Sequence, residues 1–248
     1  MSKIIKEIKD RSYNAVYGKG VYKLLYMCYN LCRMTFDPAY RSRVVSSLRF
    51  KNDYHQFSNA TETDRYPDLF NIAKEYFKEI EKPKLLSFGC STGEEIASIA
   101  RYVPHAELTG TDINPWCIKK ADEKYGSENR RFVHSLSEDF TQLRDLDAVF
   151  CLAVFQHPAN RHEKDRKESA MPFEKFENQL KVLDKKLKPG GLIFLDHCDF
   201  NFMETSLMPH YSILNAPSNP KVRERPLFNK DNRKIAEVSK CFRVFQKK

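Results

Sequence analysis

The sequence predicts an α/β fold, a doubly wound and mostly parallel sheet with helices on both faces. Three observations carry this reading. Between residues 81 and 200, short apolar runs of strand length alternate with amphipathic stretches of helix length, the order of linked βαβ units. The first apolar run leads straight into a turn with two glycines and then a helix, Ser87-Phe88-Gly89-Cys90-Ser91-Thr92-Gly93. A Lys188-Pro189-Gly190-Gly191 turn precedes the last apolar run, as expected where a helix hands the chain on to a strand.

The 248 residues suffice for one such domain and an extension. A hydrophobic share of 41% with 30% charged residues excludes global disorder. No run approaches the ~20 apolar residues needed to cross a bilayer. The seven cysteines form no CxxC pair and no zinc-type spacing, so they read as reduced thiols, and no metal site is expected. With no secretory signal visible, the expected location is cytoplasmic.

Charge divides the chain. Residues 1–51 hold eleven Lys/Arg against three acids, which accounts for +8 of the formal +9. They are read as a basic, tyrosine-rich helical extension, and residues 52–248 as the domain. Within it, 52–80 form a cap and entry helix, 81–200 the core, and 201–248 the C-terminal strands and helix. In the entry helix Leu69, Ile72, Ala73, Tyr76, Phe77 and Ile80 keep the i, i+3, i+4 rhythm. Core strands are predicted at Lys84–Phe88, Glu107–Thr111, Arg131–His134, Ala148–Leu152 and Leu192–Asp196, with helices at about 93–101, 115–125, 137–143 and 172–187. The tail is predicted to form a helix near 231–240 and a strand over Cys241–Gln246.

Gly89 permits a tight turn at the carboxyl end of the first strand, and Gly93 a close backbone approach to a ligand. Asp112 ends the second strand about twenty residues later, where a carboxylate can accept both ribose hydroxyls of a nucleoside. Its other reading is a cap for the helix opening at Pro115, although Asn114 is better placed for that. Glu94 and Glu95 stand where a dinucleotide would put its pyrophosphate, which argues against NAD-type cofactors.

The glycine loop, Asp112, the Asp147-Ala148-Val149-Phe150 strand and the Lys188-Pro189-Gly190-Gly191 turn, in that order, resemble the class I S-adenosylmethionine (SAM)-dependent methyltransferases. The resemblance covers roughly residues 65–200 and most of the tail. It implies a Rossmann-like sheet of six or seven strands and SAM as cofactor. It further implies that Gly89, Cys90, Ser91 and Gly93 line the methionine side, that Asp112 holds the ribose and that Ile113 lies against the adenine. An acidic or polar residue within Ser135–Asp139, Glu138 among them, would complete the adenosine site, and Cys151 to Ala153 would flank the sulfonium. Arg65 or Tyr66 would reach the cofactor carboxylate or the acceptor. Two features depart from the family: Ser87 stands where Asp or Glu is usual, and the loop reads Gly-Cys-Ser-Thr-Gly rather than a triple-glycine pattern. The loop with its two glutamates is similar to that of chemotaxis-receptor glutamate methyltransferases, without further support in the chain. The family's usual ending is a two-strand hairpin, so either a strand lies in Lys221–Phe228 or the sheet has six strands.

Candidate bases at the strand ends are His157 and, second, His197, because an imidazole titrates near neutral pH. Each also reads as a hydrogen-bonded loop histidine. Phe155-Gln156-His157-Pro158 is not the motif of amino-methylating DNA enzymes, and no Pro-Cys nucleophile for cytosine is present. A small-molecule or glycan-like acceptor, methylated at O or N, is therefore expected. The alternatives are a nucleic-acid methyltransferase using the basic arm and a non-catalytic module of the same fold. The mixed-charge loop 158–171 is either a solvated loop or a lid for an anionic acceptor. In the arm, Tyr13, Tyr17, Tyr22, Tyr26 and Tyr29 recur at near-helical spacing. Packing on the domain is the first reading, peripheral contact of residues 1–36 with the inner membrane face the second, and nucleic acid the third.

Overall fold

The computed structural model describes residues 18–56, 58–162, 165–214 and 220–248. The chain divides into two compact units, one ending at Val45 and one spanning Ser46–Lys248. In the first, α1 (Gly18–Phe36) leads into α2 (Pro38–Arg49), which continues past Val45. Asp37 makes the joint: its Oδ1 accepts from the Tyr40 amide at 2.9 Å and its Oδ2 pairs with Arg33 at 2.7 Å. The helical reading of the arm holds from Gly18 onward, whereas Tyr13 and Tyr17 lie outside the described residues. Among the described residues no helix is long and apolar enough to cross a membrane.

The second unit opens with α3 (Pro67–Phe77) and alternates strands and helices thereafter. In chain order these are β1 (Lys84–Phe88), α4 (Glu94–Tyr102), β2 (Glu107–Asp112), α5 (Pro115–Tyr125), β3 (Arg130–His134), α6 (Glu138–Gln142), β4 (Leu146–Leu152), α7 (Pro158–His162), α8 (Phe173–Asp184) and β5 (Leu187–Asp196). The tail adds β6 (Tyr211–Ile213), β7 (Lys221–Arg223), β8 (Leu227–Phe228), β9 (Lys234–Ala236), β10 (Ser239–Cys241) and β11 (Val244–Lys247). The central sheet has seven strands in the order β3-β2-β1-β4-β5-β11-β6, and β11 is antiparallel to both its neighbours. The chain order reverses between β1 and β4, which opens a crevice at their carboxyl ends.

Both faces of the sheet are covered. On one, α3 and α4 pack Leu69, Phe70, Ile96 and Ile99 against Leu85, Leu108 and Phe150. On the other, α6 and α8 bring Phe140, Phe176, Leu180 and Leu183 against Leu86, Val149 and Ile193. Every residue of β4 is buried, as expected for a central parallel strand.

Three expectations change. The tail has no helix near 231–240; that stretch forms β9 and β10, which pair with β8 and β7 in two small ribbons. The Lys221–Phe228 segment thus supplies ribbon strands, and the seventh strand of the main sheet is Tyr211–Ile213, recruited by β11. Finally, the proline-glycine turn lies within β5. Between the pairs Leu146–Leu187 and Ala148–Leu192, β4 advances two residues while β5 advances five. The excess is absorbed by Gly190, at φ +79°, whose carbonyl accepts from the Tyr76 hydroxyl at 2.9 Å.

Candidate cofactor and acceptor cleft

The crevice above β1, β2 and β4 is lined by three groups of residues that the sequence scatters widely. The turn after β1 forms the floor. Gly89 has φ +82°, and a Cβ there would stand 2.7 Å from Cγ2 of Val154, so neither conformation nor space admits a side chain. The amides of Gly89 and Cys90 both donate to the Thr111 carbonyl, at 2.8 and 2.9 Å, which locks the loop to β2. Asp112 is fixed from one side: Oδ2 accepts from the Ser91 amide at 3.0 Å and Oδ1 from the Asn114 amide at 2.8 Å. The carboxylate then faces the cleft. Burial raises its pKa to about 6 against the pull of those amides. Asn114 caps α5 by accepting from the Trp116 amide, so capping does not occupy Asp112.

The position of Ser87 is explained by Glu95, a residue the sequence reading passed over. Glu95 lines the cleft from the first turn of α4 and accepts from the buried Ser87 hydroxyl at 2.8 Å. A carboxylate from the helix thus reaches the place where the resemblance expected one from the strand. Burial raises the Glu95 pKa to about 8, opposed by the Ser87 hydrogen bond and by the charge of Arg65. The available signal was the acid pair following Gly93, read only as an argument against phosphate.

The segment before α3 forms the outer wall. Asn59 accepts from the Ser91 hydroxyl at 2.8 Å, and Gln56 donates to the Ala153 carbonyl at 3.1 Å. Gln156 donates to the same carbonyl at 2.8 Å, holding Ala153 at φ +63°. His55 stands in this wall, edge-on to Phe88 and Phe155, and burial holds its imidazole neutral with a pKa of about 3. At the mouth, exposed Arg65 and Arg161 complete the lining.

The expected site residues divide accordingly. Gly89, Cys90, Ser91, Asp112, Ile113 and Arg65 converge on the cleft. Gly93 is not among the residues lining the cleft: at φ +92° it caps α4, and a Cβ there would meet Tyr125 at 2.8 Å. Glu138 is exposed on α6 and accepts from Gln142; Ser135 is the member of its group that lines the cleft. Cys151 is fully buried inside β4, and Leu152, Ala153 and Val154 take the cleft edge. His157 opens α7, its Nδ1 accepting from the Ala159 amide and its own amide donating to Asp199 at 2.6 Å. His197 contacts the Tyr66 hydroxyl at 3.2 Å and Asp196 at 3.1 Å, beside a separate small hollow.

The donor set suits a SAM-like ligand: a carboxylate for a ribose diol, an acid for an ammonium group, apolar Ile113 and Leu152, and a guanidinium for a carboxylate. A family model described as a methyltransferase domain matches residues 86–193. A tRNA (guanine-N(7)-)-methyltransferase of Chloroflexus aggregans is 30% identical over 179 residues, 67% of this chain and 76% of that protein. One of Rubrobacter xylanophilus is 27% identical over 172 residues, 69% and 72% of the two chains. Among solved structures, the plantazolicin methyltransferase BpumL bound to a desmethyl analogue and S-adenosylhomocysteine is 17% identical, with a TM-score of 0.37. That match covers 76% of this chain, which spans 61% of the BpumL chain.

Proposed function

We propose that this chain, which belongs to the class I SAM-dependent methyltransferases and takes SAM as its cofactor, methylates a small-molecule or glycan-like acceptor. The observation that carries the acceptor reading is the wall over the cleft. Residues 53–56 and 58–62, tied to Ser91 and Ala153, close the crevice into a pocket rather than leaving a flat face. When bound, the cofactor supplies an electrophilic methyl group on a sulfonium.

The chain's own residues do the rest. Asp112, already held by two amides, accepts the ribose hydroxyls; Ile113 and Ser135 border the adenine; Glu95 takes the ammonium and Arg65 the carboxylate. Residues 53–56 and 58–62 exclude water and orient the acceptor, which is the larger part of what such a displacement requires. His157 and His197, held by Asp199 and Asp196, are positioning groups in this reading. Calorimetry with S-adenosylhomocysteine, followed by a methylation screen over small hydroxyl and amine acceptors, tests the proposal. Binding of the cofactor product with turnover only on a polymer would overturn the acceptor class.

A second reading, methylation of RNA, is favoured by the two tRNA-modifying relatives and by the +8 charge of residues 1–51. It predicts turnover on tRNA and an affinity falling steeply with salt.

A further inference from the structure

The mouth of the cleft carries more positive charge than the cofactor can neutralise. Arg65 and Arg161 both line it, and among the described residues neither forms an ion pair. Behind them lies Arg225, which is buried; it pairs with Asp199 and donates to the Gln156 side chain at 2.8 Å. Asp199 is committed there. It also accepts from the His157 amide at 2.6 Å and from the Asn160 amide group at 2.9 Å. The charged form of Arg161 is disfavoured first by desolvation and then by the charge of Arg225, with a smaller contribution from Arg65, while Asp199, shared with Arg225, opposes them. The acids of the cleft lie elsewhere: Asp112 and Glu95 at the cofactor end, Asp53 within the field of Lys175, and Glu62 exposed to solvent. One cofactor carboxylate satisfies one guanidinium, which leaves the other facing the acceptor.

We propose that the acceptor is a small anion, whose carboxylate or phosphate docks on Arg161 at the mouth of the cleft while Arg65 holds the cofactor carboxylate. This rests on the methyltransferase reading above and narrows it to a substrate class. A guanidinium binds either anion through paired N–H donors, with geometry that fixes the orientation of the attached molecule. The short helix α7 then has a task, which is to set this arginine beside the pocket.

The test uses the full chain saturated with S-adenosylhomocysteine and three calorimetric probes: glucose 6-phosphate, glucuronate and neutral glucose. One or both anions are expected to bind, glucose at least about tenfold more weakly, and the stronger anion tells phosphate from carboxylate. Arg161→Gln should weaken anion binding by about tenfold or more with the affinity for the cofactor product changed by less than about twofold, and Arg161→Lys should keep part of it. The proposal is overturned if neither anion binds, if glucose binds equally, or if Arg161→Gln leaves anion binding intact. It is also overturned if that variant loses affinity for bulk tRNA alone. Failure of S-adenosylhomocysteine itself to bind the wild-type chain would instead strike the methyltransferase reading.

Discussion

Ser87 and Glu95 divide between them a task that the resemblance assigns to one residue. The serine offers a hydroxyl from β1 and the glutamate supplies the charge from α4. With its pKa raised to about 8, Glu95 is mostly protonated at pH 7 in the free protein. Binding a cationic amine beside it favours the ionised form, so cofactor binding should release a proton. Affinity for S-adenosylhomocysteine should therefore rise as pH increases from 6.5 to 8.5. Calorimetry in buffers of different ionisation enthalpy should register the proton, and Glu95→Gln should abolish both effects. His55 works in the opposite direction. Its folded pKa of about 3 lies below the unfolded value near 6.5, so the unfolded chain binds the extra proton as pH falls through that window. Stability should drop on acidification by up to about 1.4 kcal/mol per pH unit on this account. Urea unfolding at pH 7 and pH 5 should show a smaller loss for His55→Phe, whose ring suits the aromatic surroundings of Phe88 and Phe155. Neither residue was legible in the sequence. The places of Asp112 and the Gly89 turn in the cleft were, because they follow from the strands these residues terminate; the reach of Glu95 and the burial of His55 depend on distant segments meeting.

The core elements were more legible than the tail. β1 was placed as observed and β4 within two residues, because strands covered on both faces are largely apolar, while β2 and the edge strand β3, in which only Phe132 is buried, were placed within one residue. The tail escaped because its signals are local and misleading. Ile235 and Val238 sit three apart and suggest a helix, yet both are exposed, at 54% and 46%. β6 is three residues long and exists through its pairing with β11. Polar contacts anchor this tail. Arg243, only 2% exposed, donates to Asp196 at 2.9 Å and to Asp68 at 2.7 Å, joining the approach to β11 to the end of β5 and the start of α3. Arg223 adds a second guanidinium to Asp196 at 2.5 Å. Losing Arg243 leaves Asp196 with Arg223 and Asp68 with Lys221, so what disappears is two charge-assisted hydrogen bonds and not the whole pairing; Arg243→Leu should cost about 1.5–3 kcal/mol in chemical unfolding. Lys221, half-exposed and 3.0 Å from the same Asp68, should cost under about 1 kcal/mol when changed to Ala. Equal losses for the two variants would mean that the network is not buried in solution.

At the scale of the whole molecule, charge and chemistry occupy different parts of the chain. The cleft draws its lining from residues 53 to 161, whereas residues 1–51 hold +8 of the formal +9. The domain that binds the cofactor is close to neutral, so attraction of the molecule to polyanions should reside in the arm. Affinity for bulk tRNA should fall linearly with the logarithm of salt concentration, and deleting residues 1–36, which carry seven of the eleven basic residues, should remove most of that slope. The same deletion should leave the dissociation constant of S-adenosylhomocysteine within about twofold, since loss of general electrostatic attraction does not touch the hydrogen bonds around Asp112. Arg161→Gln should give the complementary result, with the salt slope for tRNA unchanged and small-anion binding weakened by about tenfold or more. If the deletion instead abolished turnover on a small acceptor with cofactor binding intact, the arm would have to be counted as part of the acceptor site. The separation of basic arm and neutral catalytic domain would then fail.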